Sequence, residues 1–220
     1  KRVTDAYATK SQKGYYMGSR VPYGFQLEKT IINGIHTSVF VPELNEMKQI
    51  RLIYQLYLNP DMTLGAIMRE LLRQGFTEKR GTPWSTAKIS EILRNPVYVK
   101  ADMDIYNFFE SQRANMITPA SDYVGTNGIF LYKGINGDKT KKKQYDLVDR
   151  DVIIAPHLGV IESDIWLKCR LKIMKNRQSA RTNKGKRTWL AGKVKCKKCG
   201  YAYTVTMSNT KAGRYFQCSG

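Results

Sequence analysis

The chain has 220 residues with 37 Lys+Arg against 18 Asp+Glu, a formal net charge of +19, and 42% hydrophobic residues. That apolar share is enough to bury one or two cores and excludes disorder throughout, while no run of about 18 apolar residues exists to cross a membrane. The charged opening Lys1-Arg2 lacks the apolar stretch of a signal peptide, nothing has the form of a basic amphipathic anchor helix, and four cysteines are too few for a disulfide scaffold.

The charge is unevenly placed. Residues 1–164 contain 22 Lys+Arg and 18 acids, whereas residues 165–220 contain 15 Lys+Arg and no acid. A segment this one-sided repels itself, so its natural partner is a polyanion, bound with strong salt dependence through counterion release. A solvated basic tail is the other reading. It fits poorly with Trp166, Trp189, Tyr201, Tyr203, Tyr215, Phe216 and the paired cysteines in the same stretch.

In chain order, residues through Gln12 read as the end of a helix that begins upstream. Gly14 to Gly24 is a glycine-rich loop carrying Arg20-Val21-Pro22-Tyr23-Gly24, and Phe25 to Val41 holds two β-rich runs about Asn33-Gly34, a strong hairpin signal. From Pro42 the apolar period becomes helical. Leu44, Met47, Ile50, Tyr54 and Tyr57 make one stripe, stopped at Asn59-Pro60-Asp61. A second helix is capped by Thr63, buries Leu64, Ile67, Met68, Leu71 and Leu72, and ends at Gly75. The basic loop Phe76 to Trp84, with Lys79 and Arg80, then leads to Ser85, the N-cap of a short helix burying Ile89, Ile92 and Leu93 and ending at Asn95-Pro96.

Three helices in about 55 residues, the last preceded by a basic loop, suit a helix-turn-helix unit, although any small helical bundle has the same spacing. The outward residues favour nucleic acid. Thr86, Lys88, Ser90 and Arg94 are expected to point away from the apolar stripe and are groove-compatible donors.

Asp102 to Asn115 predicts a further helix with Met103, Tyr106 and Phe108 or Phe109 inward, followed by a polar loop from Thr118 to Gly128. Ile129 to Tyr132 and Tyr145 to Val148 are expected to pair as an exposed hairpin around the lysine run 141–143. A domain boundary falls near residues 148–157, and a helix runs from Glu162 or Ser163 to about Ser179, opening the second domain. His36 and His157 have no motif around them and read as ordinary.

Cys196-Lys197-Lys198-Cys199-Gly200 has the form of a zinc-knuckle turn, in which two thiolates two residues apart reach one ion and glycine permits the tight backbone. Cys218 lies within the spacing of a zinc ribbon's second pair. The alternatives are free cysteines or a ribbon lacking its last ligand, with zinc weakly held or absent. Cys169, among apolar residues in mid-helix, reads as an inert buried thiol. There is no Gly-rich phosphate loop, no His-Glu-x-x-His and no acidic cluster for two magnesium ions, so no catalytic residue is assigned.

Taken in order, Arg20-Val21-Pro22-Tyr23-Gly24-Phe25, Trp84-Ser85 leading to Ile92-Leu93-Arg94-Asn95-Pro96-Val97-Tyr98, Ile153-Ile154, Ile161-Glu162-Ser163, Leu190 to Gly200 and Tyr215-Phe216-Gln217-Cys218 resemble the C-terminal region of large serine recombinases, the integrases and transposases of phages and mobile elements. Val99-Lys100 departs from the glycine that the family has after its Asn-Pro-x-Tyr turn. The resemblance implies an α+β fold: residues 1–13 as the end of a linker helix, a helix-turn-helix-like recombinase domain over 14–117, a loop and hairpin linker over 118–149, and a zinc-ribbon domain with a leading helix over 150–220. It implies a nucleophilic serine in a preceding catalytic domain that this sequence lacks, and a fourth ribbon cysteine and coiled-coil insertion after Gly220. The expected partner is double-stranded DNA, in the cytoplasm and away from membranes, with this chain monomeric and the longer protein self-associating on DNA.

The resemblance implies contacts by the helix from Ser85 (Trp84, Ser85, Thr86, Lys88, Ser90 and Arg94) in a major groove, by Arg20, Lys79 and Arg80 at phosphates or a minor groove, and by Arg181, Lys184, Lys186 and Arg187 further along the duplex. Zinc would sit at Cys196, Cys199 and Cys218. The rival class is an RNA- or ribosome-associated zinc-ribbon protein, which would prefer unpaired bases.

Overall fold

The computed structural model describes residues 9–18, 20–133, 144–175, 190, 193–207 and 213–218. They form a mixed α+β architecture in two compact units, Lys1–Arg177 and Gln178–Gly220. Among the described residues, no helix is long and apolar enough to cross a membrane.

The first unit opens with a helical stretch at 9–12; the rest of the expected linker helix lies outside the described residues. Strands β1 (Phe25–Ile32) and β2 (Ile35–Pro42) form the antiparallel hairpin predicted at Asn33-Gly34, in register from Phe25 opposite Pro42 to Ile32 opposite Ile35. Asn33 and Gly34 have φ of 49° and 75°, the pair of left-handed residues that a two-residue turn matched to strand twist demands.

Helix α1 (Leu44–Leu58) is capped by the Glu43 carboxylate, α2 (Leu64–Arg73) by Thr63, α3 (Thr86–Arg94) by Ser85 and α4 (Met103–Ser111) by Asp102. Each cap satisfies amides that the first helical turn leaves without partners. Helix α2 closes as expected: Gly75 turns left-handed at φ 75° while the Phe76 amide donates back to Leu71 O at 2.9 Å. In α4 the inward residues are Ile105, Phe108 and Phe109, and Met103 is exposed.

A three-stranded sheet follows, ordered β3 (Asn115–Met116), β5 (Arg150–Leu158), β4 (Asn127–Lys133), with β5 parallel to β3 and antiparallel to β4. The partner of β4 is therefore the apolar run beginning at Arg150, and residues 145–149 form the turn before it. Val152, Ile153 and Ala155 are buried, whereas Tyr145 and Val148 are exposed, and burial sets strand register.

Helix α5 (Ser163–Lys175) also packs within the first unit, against α1, α3 and α4. The sequence assigned β5 and α5 to the ribbon domain; the structure places them with the helices. Trp166 is the reason. Fully buried, it lies 5.7 Å from Phe108 and 6.0 Å from Phe109, ring centre to ring centre, and its indole N–H donates to Asn95 O at 3.2 Å. An indole of this size, buried with its N–H satisfied, gives an anchor that a leading helix of a small ribbon would lack.

The second unit contains the turn around Cys196 and the antiparallel pair β6 (Tyr203–Met207) and β7 (Arg214–Cys218), with Tyr203 opposite Cys218.

Candidate nucleic-acid interface and cysteine cluster

The N-terminal end of α3 is the open end. The Ser85 hydroxyl accepts from the Lys88 amide at 3.2 Å, Ser85 and Ala87 are exposed, and Thr86 and Lys88 are half-buried. The Lys88 ammonium lies 3.3 Å from the Glu91 carboxylate.

The C-terminal half is closed. Ser90 and Arg94 are buried, which corrects the expectation that they point into a groove. The Arg94 guanidinium donates to Ser90 Oγ at 3.2 Å and lies 4.2 Å over the Tyr145 ring, while Arg170 from α5 reaches Arg94 O at 3.5 Å and Gln144 O at 2.7 Å. Burial, followed by the neighbouring Arg94 charge, pulls the Arg170 guanidinium down to about 10. Both arginines therefore brace α3 rather than present it.

Trp84 is also a core residue. It is buried edge-on against Tyr23 at 4.9 Å and donates to Gln49 Oε1 at 3.1 Å, so it fixes the basic loop to α1. Lys79, in the short 3-10 turn Lys79–Gly81, is exposed and sits 3.4 Å from the Glu46 carboxylate. The Arg80 side chain and Arg181, Lys184, Lys186 and Arg187 lie outside the described residues.

Arg20 is exposed and makes no ion pair with any described residue. It shares with Lys88 a half-open cleft of about 240 Å³, walled by Pro22, Phe40, Val97 and Phe130. Behind those walls His157 is buried with Nε2 2.8 Å from Val97 O, its ring 5.3 Å from each of Phe25, Phe40 and Phe130. Desolvation pushes this imidazole down to about 4, so it is neutral and structural. The strand passes so close that a Cβ on Gly128 would come within 2.3 Å of His157 Nε2 and 2.6 Å of Val97 O. Glycine is required there, beside the register shift in β4.

In the second unit, the ligand atoms of Cys196, Cys199 and Cys218 lie within 4.8 Å of one another, with 3.2 Å between the sulfurs of Cys199 and Cys218. The turn is built for this: the Cys196 amide donates to Tyr201 O at 2.7 Å, the Gly200 amide donates to Cys196 O at 2.8 Å, and Gly200 takes φ 72°. Backbone amides of Cys199 and Lys198 pull the Cys196 thiol down to about 6, toward the thiolate that a metal takes as ligand. Three converging thiolates at this spacing fit zinc, whose structural sites are tetrahedral. Cys169 is buried within the first unit, and desolvation raises it to about 12.

The family model described as Recombinase matches residues 44–176, more than half of the chain. The chain belongs to the Recombinase family. The matched span ends where the first unit ends, so α5 belongs with the family domain by sequence as well as by packing. Among solved structures, this Recombinase chain is similar to one described as "Crystal Structure of a LSR-DNA Complex", with 16% identity, a TM-score of 0.45, and coverage of 99% of this chain and 54% of that one. A second, "Sequence Requirements of the Listeria innocua prophage attP site", shows the same identity and TM-score, with coverage of 99% and 73%. The chain thus spans about half the length of the first.

Sequence reasoning missed the cleft, because its walls come from the loop before β1, from β2, from α3 and from β4. It also missed Lys172, whose ammonium satisfies the carbonyls of Tyr57, Asn59 and Met62 at 3.0, 2.6 and 3.1 Å and so closes the C-terminus of α1 from α5. A lysine in the last turn of a surface helix carries no signal of such a partner.

Proposed function

We propose that this Recombinase-family chain binds double-stranded DNA in a sequence-specific way, as the site-recognition part of a serine recombinase acting at attachment or element-end sites. The observation that carries the reading is the open N-terminal end of α3. Inside the family domain, Ser85 is exposed and Thr86 and Lys88 are half-buried, in contrast to the closed Ser90 and Arg94, and Lys79 is exposed, as is Arg20 ahead of the domain. A helix end has unsatisfied amides and a positive dipole, both suited to phosphates and base edges.

In this reading Thr86 and Lys88 reach bases, Arg20, Lys79 and Arg80 contact the backbone, and Trp84, Ser90 and Arg94 hold the helix in place. The basic stretch with Arg181, Lys184, Lys186 and Arg187 neutralises phosphates further along the duplex, and the cysteine unit takes zinc with a fourth ligand beyond the three described. The catalytic serine belongs to another part of the protein.

Selection from a randomised duplex library, followed by titration at several salt concentrations, tests the reading. A recovered consensus with a steep salt slope is expected. Equal binding to all duplexes, or a preference for unpaired RNA, would overturn it.

A further inference from the structure

The open surface of α3 is smaller than its length suggests. Ile89, Ser90, Ile92, Leu93 and Arg94 are buried, so the side chains of this helix left to meet a partner are Thr86, Ala87, Lys88 and Glu91. Lys88 and Glu91 stand three residues apart on one face, with 3.3 Å between ammonium and carboxylate; the Lys88 side chain is 17% exposed and that of Glu91 49%. Ala87 beside them is a single exposed methyl group, which lets the helix backbone come close to whatever this face meets.

A carboxylate is an unexpected group at that place. The chain carries a net charge of +19, its proposed partner is a polyanion, and an exposed ion pair of this kind adds little to stability. A negative charge on the open face weakens attraction to the phosphates of every sequence. It gains something only where it meets a hydrogen-bond donor, which in a major groove means a base amino group.

We propose that Lys88 and Glu91 act as one unit that reads a G·C base pair, Lys88 donating to guanine O6 or N7 and Glu91 accepting from cytosine N4. The inference rests on the DNA-binding reading and adds to it which side chains set the specificity and which base pair they select. The match is geometric. Guanine O6 and cytosine N4 are joined by a hydrogen bond of about 2.9 Å, so an acceptor and a donor lie side by side at nearly the spacing of the Lys88 and Glu91 charged groups. An A·T pair also sets an acceptor, thymine O4, beside a donor, adenine N6. There, however, adenine N7 turns a second acceptor toward the carboxylate and the thymine methyl meets the ammonium, whereas in G·C the neighbour of O6 is N7, a further acceptor for Lys88. Because the two charges stay paired, neither is left bare when water leaves the groove.

Selection from a randomised duplex library, run in parallel on the whole parent chain and on Glu91→Gln, tests the pair. The parent consensus should contain one G·C pair at which every replacement, C·G included, costs about tenfold in affinity. Glu91→Gln is nearly isosteric at an exposed position and should fold as the parent does. It should let A·T rise to parity at that pair, because a carboxamide matches adenine N6 and N7, while affinity for unselected duplex rises with the loss of a negative charge. Inosine in place of the guanine keeps O6 and N7 and removes only the minor-groove amino group, so parent binding should not change. Glu28→Gln, which removes an exposed carboxylate on β1, should leave the consensus as it is.

A consensus that Glu91→Gln leaves intact, with affinity altered by one factor on all sequences, would overturn the pair as a reader while duplex recognition by other residues stands. Loss of binding with inosine would place the reading in the minor groove and overturn it too. Recovery of no consensus from the parent chain would overturn both this inference and the DNA-binding reading.

Discussion

The two units hold themselves together by different means. In the first, α1, α3, α5 and the sheet close on one continuous core that includes Ile50, Tyr54, Tyr98, Phe109 and Trp166, all essentially removed from water. In the second, no described residue reaches that degree of burial; Tyr215 and Phe216 are exposed, and the three cysteines are the one group of possible metal ligands that converges among the described residues. A unit of 43 residues has too little interior to be stabilised by apolar burial alone, and below about 40 residues metals or disulfides usually replace it. Basic charge accumulates in the same region, where no carboxylate offsets it. Metal thiolates would supply both cross-linking and negative charge.

The largest expected effect follows from this contrast. Stripping zinc from a zinc-loaded chain with a strong chelator should unfold the second unit, because in small metal modules the binding free energy is folding free energy. The resonances of residues 193–218 should collapse to random-coil positions while those of α1 to α5 stay in place. Cys199→Ser should mimic chelation. If the first unit melted as well, or the second kept its dispersion without metal, the division of labour between core and cysteines would be wrong.

The complementary experiment attacks the core. Trp166→Ala should destabilise the first unit by about 3 to 5 kcal/mol, the usual cost of emptying an aromatic site, with added loss because Asn95 O is left without its indole donor. Denaturant titration read by far-UV circular dichroism measures it. Zinc content per chain should not change.

How much of this was legible depended on distance along the chain. The hairpin at Asn33-Gly34, the caps at Thr63 and Ser85, the left-handed stop at Gly75 and the cysteine turn were all readable, because each is decided within a few residues. The Asn-Pro-Val-Tyr turn was readable as a resemblance but not as a junction, although Tyr98 donates to Tyr23 O at 2.7 Å, 75 residues away. Ser90 and Arg94 were misread for the same reason. Their helical positions do face away from Ile89, Ile92 and Leu93, but α5 and Tyr145 arrive on that side from more than 50 residues later. Period-3.6 reasoning sees one buried face, and a helix packed on two sides defeats it. The boundary between units differs likewise: the sequence reading put it near residues 148–157, while the structure divides after α5.

Acid sharpens the comparison from the side of the first unit. His157 ordinarily titrates near 6.5, and its burial in the folded state holds it at about 4. The unfolded chain therefore binds this proton first. Stability from the neutral, buried ring is complete above pH 6.5 and is lost as pH falls toward 4, by about 3 kcal/mol in all. Thermal unfolding of the first unit between pH 7 and 4 should show this slope, and His157→Phe should flatten it, even though Val97 O then loses its partner.

The smallest effect tests whether the open end of α3 is a surface feature of an otherwise rigid unit. Ser85 caps the helix through a single hydrogen bond to the Lys88 amide, and its side chain is exposed. Ser85→Ala should therefore lower stability by only about 1 kcal/mol, far less than Trp166→Ala, and should leave the second unit and its zinc untouched. Ser85→Asp restores the cap and adds a negative charge at the positive end of the helix, so stability should return to the parent value or rise slightly. DNA affinity should move the other way, because the same carboxylate would repel a phosphate at that end. Parallel measurement of melting temperature and duplex affinity for the two variants separates the roles: stability restored and binding weakened in Ser85→Asp marks the helix end as part of the interface. Binding that merely follows stability in both variants would place the DNA elsewhere on the molecule.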